Sequence, residues 1–361
     1  MIILFSIVTI FCLVYGIFVL SVIIGWKRIP KFEDNSSQQN TFISLIICCR
    51  NEEKKLPFLL QSIKNQTYKN FELIIVNDHS VDSTLQILEQ FSDTFPTKII
   101  SAKLEGKKNA LRQGVETSKG ELIVCTDADC ILHPEHLQTI ANFYQKEHAQ
   151  MILGGVLFSP QQTFFEKIQA LEFFSLIASG AGMAGMNMPI LCNGANLAFE
   201  RSVWDENALE DRAASGDDQF LLFHLKKQKA KISFLKSDKS AVQTLPSPNL
   251  NSFFSQRARW TSKSKYYTDF ATILVALLIF GYSLLQLFIL LTIGINFQFL
   301  LVFLILTIFK FLLDFTLLAI TLPFYNQKHL LIYSLPLSLC YPFYIVITAI
   351  CGLFGKTKWK N

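Results

Sequence analysis

Residues 1–25, 271–309 and 329–354 contain no Asp, Glu, Lys or Arg. An apolar run of about 20 residues can cross a bilayer as a helix. These runs therefore commit both flanks of the chain to membrane helices and leave a middle that must fold in water. The composition, 51% hydrophobic with 33 Phe against 17% charged residues, divides along the same line.

The first run is too long for a signal-peptide core, has no basic region before it and shows no small-residue cleavage site. It reads as an uncleaved anchor over residues 1–25. Lys27, Arg28 and Lys31 follow at once and place residue 26 onward in the cytosol. Toward the other flank, apolar segments are expected near 271–293, 298–322 and 329–354. Four spans would put the tail outside, whereas Lys356, Lys358 and Lys360 favour the inside; a re-entrant segment would reconcile the two. Lys310 and Asp314 stand four apart on one helical face and are expected to pair within the bundle. Marking a polar lipid headgroup site is the other reading.

After a polar linker at 26–41, "FISLIICCRNEEKKLPFLLQSIKNQ" reads as a buried strand, a turn and a helix with Leu56, Leu59, Leu60 and Ile63 at helical spacing. "NFELIIVNDHSVDSTLQILEQF" repeats the pattern, with a strand at 71–76 and Ser80 or Asp82 as helix cap. "TKIISA" gives a third strand, "GKKNALRQGVETSKG" a helix closed by Gly120, and "ELIVCTDAD" a fourth strand. This alternation predicts an α/β fold with a mostly parallel sheet that binds ligands beyond the carboxyl ends of its strands. Arg50-Asn51-Glu52, Asn77-Asp78 and Asp127-Asp129 all fall at such ends. Short strands are expected at 151–158, 190–199 and 231–236. The helices of "QTFFEKIQALEFFSLIASG", with Phe164, Phe165, Ile168 and Leu171 on one face, and of "NLNSFFSQRARWTSKSKYY" are predicted to lie in the membrane interface.

The acidic pair Asp127 and Asp129 is flanked by Cys125 and Cys130, so a thiolate site has to be considered. No C-x-x-C occurs among the eight cysteines, three of which sit inside apolar runs. A cytosolic location also argues against disulfides. Cys125 and Cys130 are expected to be small buried residues. His79, His133 and His136 are expected to be polar loop residues. Two carboxylates separated by Ala128 suit a hard divalent cation, Mg2+ or Mn2+, with positions left for a substrate phosphate.

Seven motifs occur in order: "IICCRNEE", "VNDHSVDST", "GKKNAL", "TDADC", "NGANLAF", "SGDDQFLL" and "QRARW". Over about residues 42–265 they resemble the membrane-integrated family 2 glycosyltransferases, which include cellulose and hyaluronan synthases and share motifs with ceramide glucosyltransferases. The resemblance implies a GT-A fold, a nucleotide-sugar donor (usually a UDP-sugar), a divalent metal and inversion at the anomeric carbon. It implies that Arg50, Glu52, Asp78, Lys107, Asp127, Gln256 and Arg259 bind the donor, and that Asp129, with Asp127, binds the metal. It further implies that Asn193, Gly194 and Trp260 contact the acceptor. Asp218 aligns with the catalytic base, and beside it Asp217 stands where many members have Glu, as a helix cap or a second acceptor ligand.

The expected organisation is an anchor (1–25), a linker (26–41), a cytosolic GT-A domain (42–248), an interfacial helix carrying QRARW (249–268) and a membrane domain (269–361). The expected activity is sugar transfer to a lipid or glycan acceptor at the cell membrane, from the cytosolic side. No nucleic-acid partner is expected, and an oligomer is possible. About four spans, one used as an anchor, are few to line a polymer channel, so a lipid acceptor is favoured over processive synthesis by a dimer or with partners. A catalytically silent nucleotide-sugar-binding subunit is the rival from another class. The intact D-x-D, SGDDQ and QRARW argue against it.

Overall fold

The computed structural model describes residues 2–33, 40–213 and 215–355. Residues 34–39 of the predicted linker and the basic tail from Lys356 lie outside the described residues. In chain order the first half runs α1 (Ile2–Arg28), β1 (Ile43–Cys49), α2 (Leu56–Lys64), β2 (Phe71–Asn77), α3 (Thr84–Ser92), β3 (Lys98–Ser101), α4 (Lys107–Thr117) and β4 (Leu122–Asp127). Next come β5 (Cys130–Ile131), α5 (His136–Glu147), β6 (Met151–Gly154), β7 (Val156–Phe158), α6 (Phe164–Gly185) and β8 (Leu197–Glu200). The last part comprises α7 (Asp217–Lys227), β9 (Ile232–Leu235), β10 (Val242–Thr244), α8 (Leu250–Ser262), α9 (Phe270–Thr292), α10 (Phe299–Thr321) and α11 (Ser334–Phe354).

The chain divides into two compact units. One comprises residues 29–160 and 191–245, and its main sheet has the strand order β3-β2-β1-β4-β8-β6-β9. β1 is parallel to both β2 and β4, β2 to β3, and β6 to β9; only β8 runs antiparallel to its neighbours. Burial of Ile43, Leu45, Ile46 and Ile47 on both faces of β1 explains its unbroken apolar run, as expected of a central parallel strand. A small second sheet has the order β5-β10-β7.

Several local expectations shift. Ser80 does not cap α3: its hydroxyl accepts from the Asn51 N–H at 3.1 Å, whereas Asp82 Oδ1 accepts from the first helical N–H, Thr84, at 3.0 Å. α4 ends at Thr117, before Gly120, whose place is set instead by its close approach to Ser44. The apolar stretch 151–158 breaks at Gly155 into β6 and β7, and within 190–199 strand pairing begins only at Leu197. His136 is not a loop residue. It opens α5 fully buried, with Nδ1 3.1 Å from the Ser240 carbonyl, and burial pushes its pKa down to about 4.

The other unit comprises residues 2–28, 161–190 and 246–355. Among the described residues, four of its helical segments are long and apolar enough to cross a membrane: Ile3–Arg28, Phe270–Thr292, Phe299–Tyr325 and Lys328–Phe354. α6, placed by sequence within the 42–248 domain, groups with these helices. The reason is its contact with α1: a Cβ at Gly25 would collide with the Gly182 backbone, and one at Gly182 with the Val22 backbone. Small residues let helix backbones approach closely. Burial along α6 is continuous from Gln169 to Phe174, while Phe164 is exposed, so the expected single apolar face through Phe164 is absent. Lys310 pairs with Asp314, which also accepts from Tyr15 Oη at 2.5 Å.

Candidate active site

The register of the main sheet gathers the acidic residues. Cys49 of β1 lies opposite Asn77 of β2, and Cys48 lies opposite Asp127 of β4. The residues following these strands, Arg50, Asp78 and Asp129, therefore leave from one edge. It is the carboxyl edge, where open α/β sheets bind ligands.

Asp78 is fully buried, and both its carboxylate oxygens accept from the Gly106 N–H, at 3.1 and 3.0 Å. His79 Nδ1 lies 3.1 Å from Oδ1 and Arg50 Nη1 4.0 Å from Oδ2; Arg50 also pairs with Glu105. Gly106 has φ +117°, a conformation that strains any residue with a Cβ. Asp78 thus fixes the point at which α4 starts, and with it Lys107, the first residue of that helix.

Lys107 Nζ donates to Asp127 Oδ1 at 2.7 Å and stands 3.7 Å from Asp217 Oδ2. Burial alone would lower its pKa, but Asp127, Asp217 and Asp218 outweigh that and hold it well above 10.5. The stabilisation Lys107 contributes is therefore complete below pH 10.5 and fades only as pH rises through the higher folded value. Asp217 moves upward: burial raises its pKa, Lys107 opposes the rise, and Asp218 and Asp127 add to it.

Asp217 and Asp218 open α7 behind Gly216, which has φ +99°. Asp217 does not act as the cap suggested by sequence; it is the first helical residue, and its carboxylate is buried toward Lys107. Asp218 is less buried. Its Oδ2 accepts from the Gly194 N–H at 2.9 Å and its Oδ1 from the Gln219 N–H at 2.7 Å. This brings Gly194 of "NGANLAF" to Asp218, while the adjacent Asn193 side chain accepts from the Ala195 N–H at 3.0 Å.

Asp129 pairs with Lys55 Nζ at 3.2 Å. Burial acts to lower the Lys55 pKa, but Asp129 and Glu52 raise it overall. Glu52 is itself buried, and its carbonyl accepts from the Lys55 and Leu56 N–H groups at the start of α2. Lys55 was missed in the sequence because its partner lies 74 positions away and no local pattern marks it. Burial pushes Cys125 up to about 12 and raises Cys130, in keeping with two small buried residues. Asp127 and Asp129 are 37% and 28% exposed and offer only oxygen donors. Among the described residues no group of three His, Cys, Asp or Glu is placed to hold a metal. Two accessible carboxylates suit a hard cation that takes its other ligands from substrate phosphate and water.

Gln256, Arg259 and Trp260 belong to the helical unit. Gln256 Oε1 accepts from Arg257 Nη1 at 2.7 Å and lies 3.4 Å from Ser247 Oγ. The Arg257 guanidinium lies 4.2 Å from the centroid of the Trp260 ring, which also packs against Phe173. Arg257, a residue given no role from the sequence, is paired with Glu172 of α6.

The family model for glycosyl transferase family 2 matches residues 44–205. This stretch is similar to the glycosyl transferase family 2 domain. The matched stretch holds Asp78, Lys107, Asp127, Asp129, Asn193 and Gly194, and Asp217 and Asp218 follow it. The chain is 25% identical over 235 residues to a poly-beta-1,6-N-acetyl-D-glucosamine synthase of Staphylococcus epidermidis, covering 62% of this chain and 54% of that protein. It is 36% identical over 117 residues to an uncharacterized glycosyltransferase of Haemophilus influenzae, covering 32% and 36%. The chain thus spans about half the length, or less, of these curated relatives. Among solved structures, a mannosyltransferase of Pyrobaculum calidifontis in complex with GDP-Man and Mn2+ superposes with a TM-score of 0.61 at 14% identity, covering 98% of each chain. The fold around the matched stretch is GT-A.

Proposed function

We propose that the protein transfers a sugar, with inversion, from a nucleoside-diphosphate sugar to an acceptor embedded in the membrane, a lipid in the first place. The observation that carries this reading is Lys107, held between Asp127 and Asp217 at the carboxyl edge of the sheet, with Asp218 beside them. A cation held by Asp127 and Asp129 would offset the charge of the leaving diphosphate. Lys107 supplies a further positive charge on the donor side, and Arg259 a planar pair of donors for the diphosphate. Asp218 takes the proton of the acceptor hydroxyl as its oxygen bonds to the anomeric carbon and the bond to diphosphate breaks. A UDP-sugar and a cytosol-facing site in the cell membrane complete the proposal.

The test is to incubate the detergent-solubilised chain with UDP- and GDP-sugars, Mn2+ and a membrane lipid extract, and to follow nucleotide release together with new glycolipid by mass spectrometry. No sugar transferred from any donor would overturn the reading. Similarity to a poly-beta-1,6-N-acetyl-D-glucosamine synthase supports a second reading, repeated addition to a growing glycan, for which the product would be a ladder of lengths.

Two variants test the donor side. Asp129→Ala removes a proposed metal ligand and abolishes the thermal stabilisation given by UDP plus Mn2+, with Asp127→Ala similar or milder; an unchanged melting shift would take Asp129 out of the metal site. Arg259→Lys keeps the charge but loses the two-pronged hydrogen bonding, so turnover drops about tenfold or more, at least ~1.4 kcal/mol in the barrier. Wild-type turnover in that variant would make Arg259 an interfacial anchor only.

A further inference from the structure

Next to Lys107 stands a second lysine whose environment is quite different. Lys108 is 7% exposed, and its Nζ donates to the Ala213 carbonyl at 2.6 Å and to the Glu210 carbonyl. The Phe220 ring of α7 lies beneath the ammonium, 5.2 Å to the centroid. One helical turn on, Arg112 donates through Nε to the Glu206 carbonyl at 3.3 Å and through Nη2 to Asp211 at 2.7 Å. Positions i and i+4 share a helix face, so one face of α4 grips the stretch 206–213 at four points.

A buried ammonium held largely by neutral carbonyls is a costly way to fasten a loop. Burial lowers the Lys108 pKa, with Asp217, Asp211 and Glu210 pulling it back up and Arg112 adding to the fall. An apolar side chain there would leave the Glu210 and Ala213 carbonyls without this donor, so the lysine is explained by what it holds. Ala213 lies four residues before Asp217. α4 therefore holds Asp127 through Lys107, and through Lys108 the segment that delivers Asp217 and Asp218.

We infer that Lys108 and Arg112 form a clasp that fixes the segment ahead of α7 and so sets the position of Asp218 relative to the donor-side carboxylates. Both are positioning residues; neither touches substrate. The inference rests on the proposed function, in which Asp218 is the base. Misplacing a reacting group by about 1 Å can cost on the order of 100-fold, and a loosened clasp should cost part of that.

The experiment compares wild type with Lys108→Met in the full, solubilised chain. Sugar transfer should fall about tenfold or more in kcat while affinity for UDP plus Mn2+ stays within about twofold. Backbone hydrogen exchange across 206–213 should quicken, with β1 and β4 unchanged. Arg112→Met, at a side chain 22% exposed, repeats the comparison with a milder loss if Lys108→Met does not fold. Unchanged transfer, nucleotide affinity falling in step with transfer, or unchanged exchange across 206–213 would each overturn the clasp. Exchange reads the clasp without reference to catalysis. Absence of transfer in the wild-type chain, by contrast, overturns the proposed function and the positioning role with it.

Discussion

Replacing Asp218 by Asn lowers sugar transfer by about 100-fold or more, ~2.7 kcal/mol in the barrier, while leaving UDP and metal affinity in place. Asparagine has nearly the same shape as aspartate but cannot take a proton. The carboxylate accepts from two backbone N–H groups, Gly194 at 2.9 Å and Gln219 at 2.7 Å. An amide can satisfy only one of them, because its NH2 would face the other donor. A stability loss of about 1 kcal/mol should therefore accompany the loss of turnover. Asp217→Asn serves as the comparison. Asp217 is buried beside Lys107, whose shorter contact, to Asp127, survives the change, so transfer should fall less. Measuring UDP affinity and transfer for both variants decides between them. Normal transfer in Asp218→Asn with a dead Asp217→Asn would exchange their roles, and activity in both would place the base elsewhere.

The second large effect is on stability, in the helical unit. Arg257 and Glu172 form an ion pair with side chains 4% and 2% exposed. Glu172 also accepts from Tyr344 Oη at 2.6 Å, and the guanidinium lies over the Phe253 and Trp260 rings. Glu172→Leu leaves a buried cation without its counter-charge, a loss of about 3–5 kcal/mol. The melting temperature of the solubilised protein should drop by about 10 °C. Arg257→Met added to Glu172→Leu should restore most of that, since an apolar pair has no charge to desolvate. A melting temperature unmoved by Glu172→Leu would mean that water reaches Arg257. Because Arg257 also holds Gln256 and Trp260, the single variant should impair turnover beyond its effect on folding.

The amino-acid sequence by itself determined the charge-free helices, the strand–helix alternation and the placing of Asp78, Asp127 and Asp129 at strand ends. These are local properties: an apolar run or a periodicity of burial is written in neighbouring residues. Cys125 and Cys130 were legible as buried thiols for the same reason. Tertiary structure alone decided that α6 packs on α1, because close helix approach depends on Gly25 and Gly182 meeting across more than 150 positions. It alone moved Asp217 from a helix cap to a buried partner of Lys107, and gave Lys55, Lys108, Arg112 and Arg257 their partners. Such pairings join residues 74 to 110 positions apart. A lysine that will be buried against carbonyls has the same sequence neighbours as one that will stay in water, and only the folded chain's exclusion of solvent tells them apart.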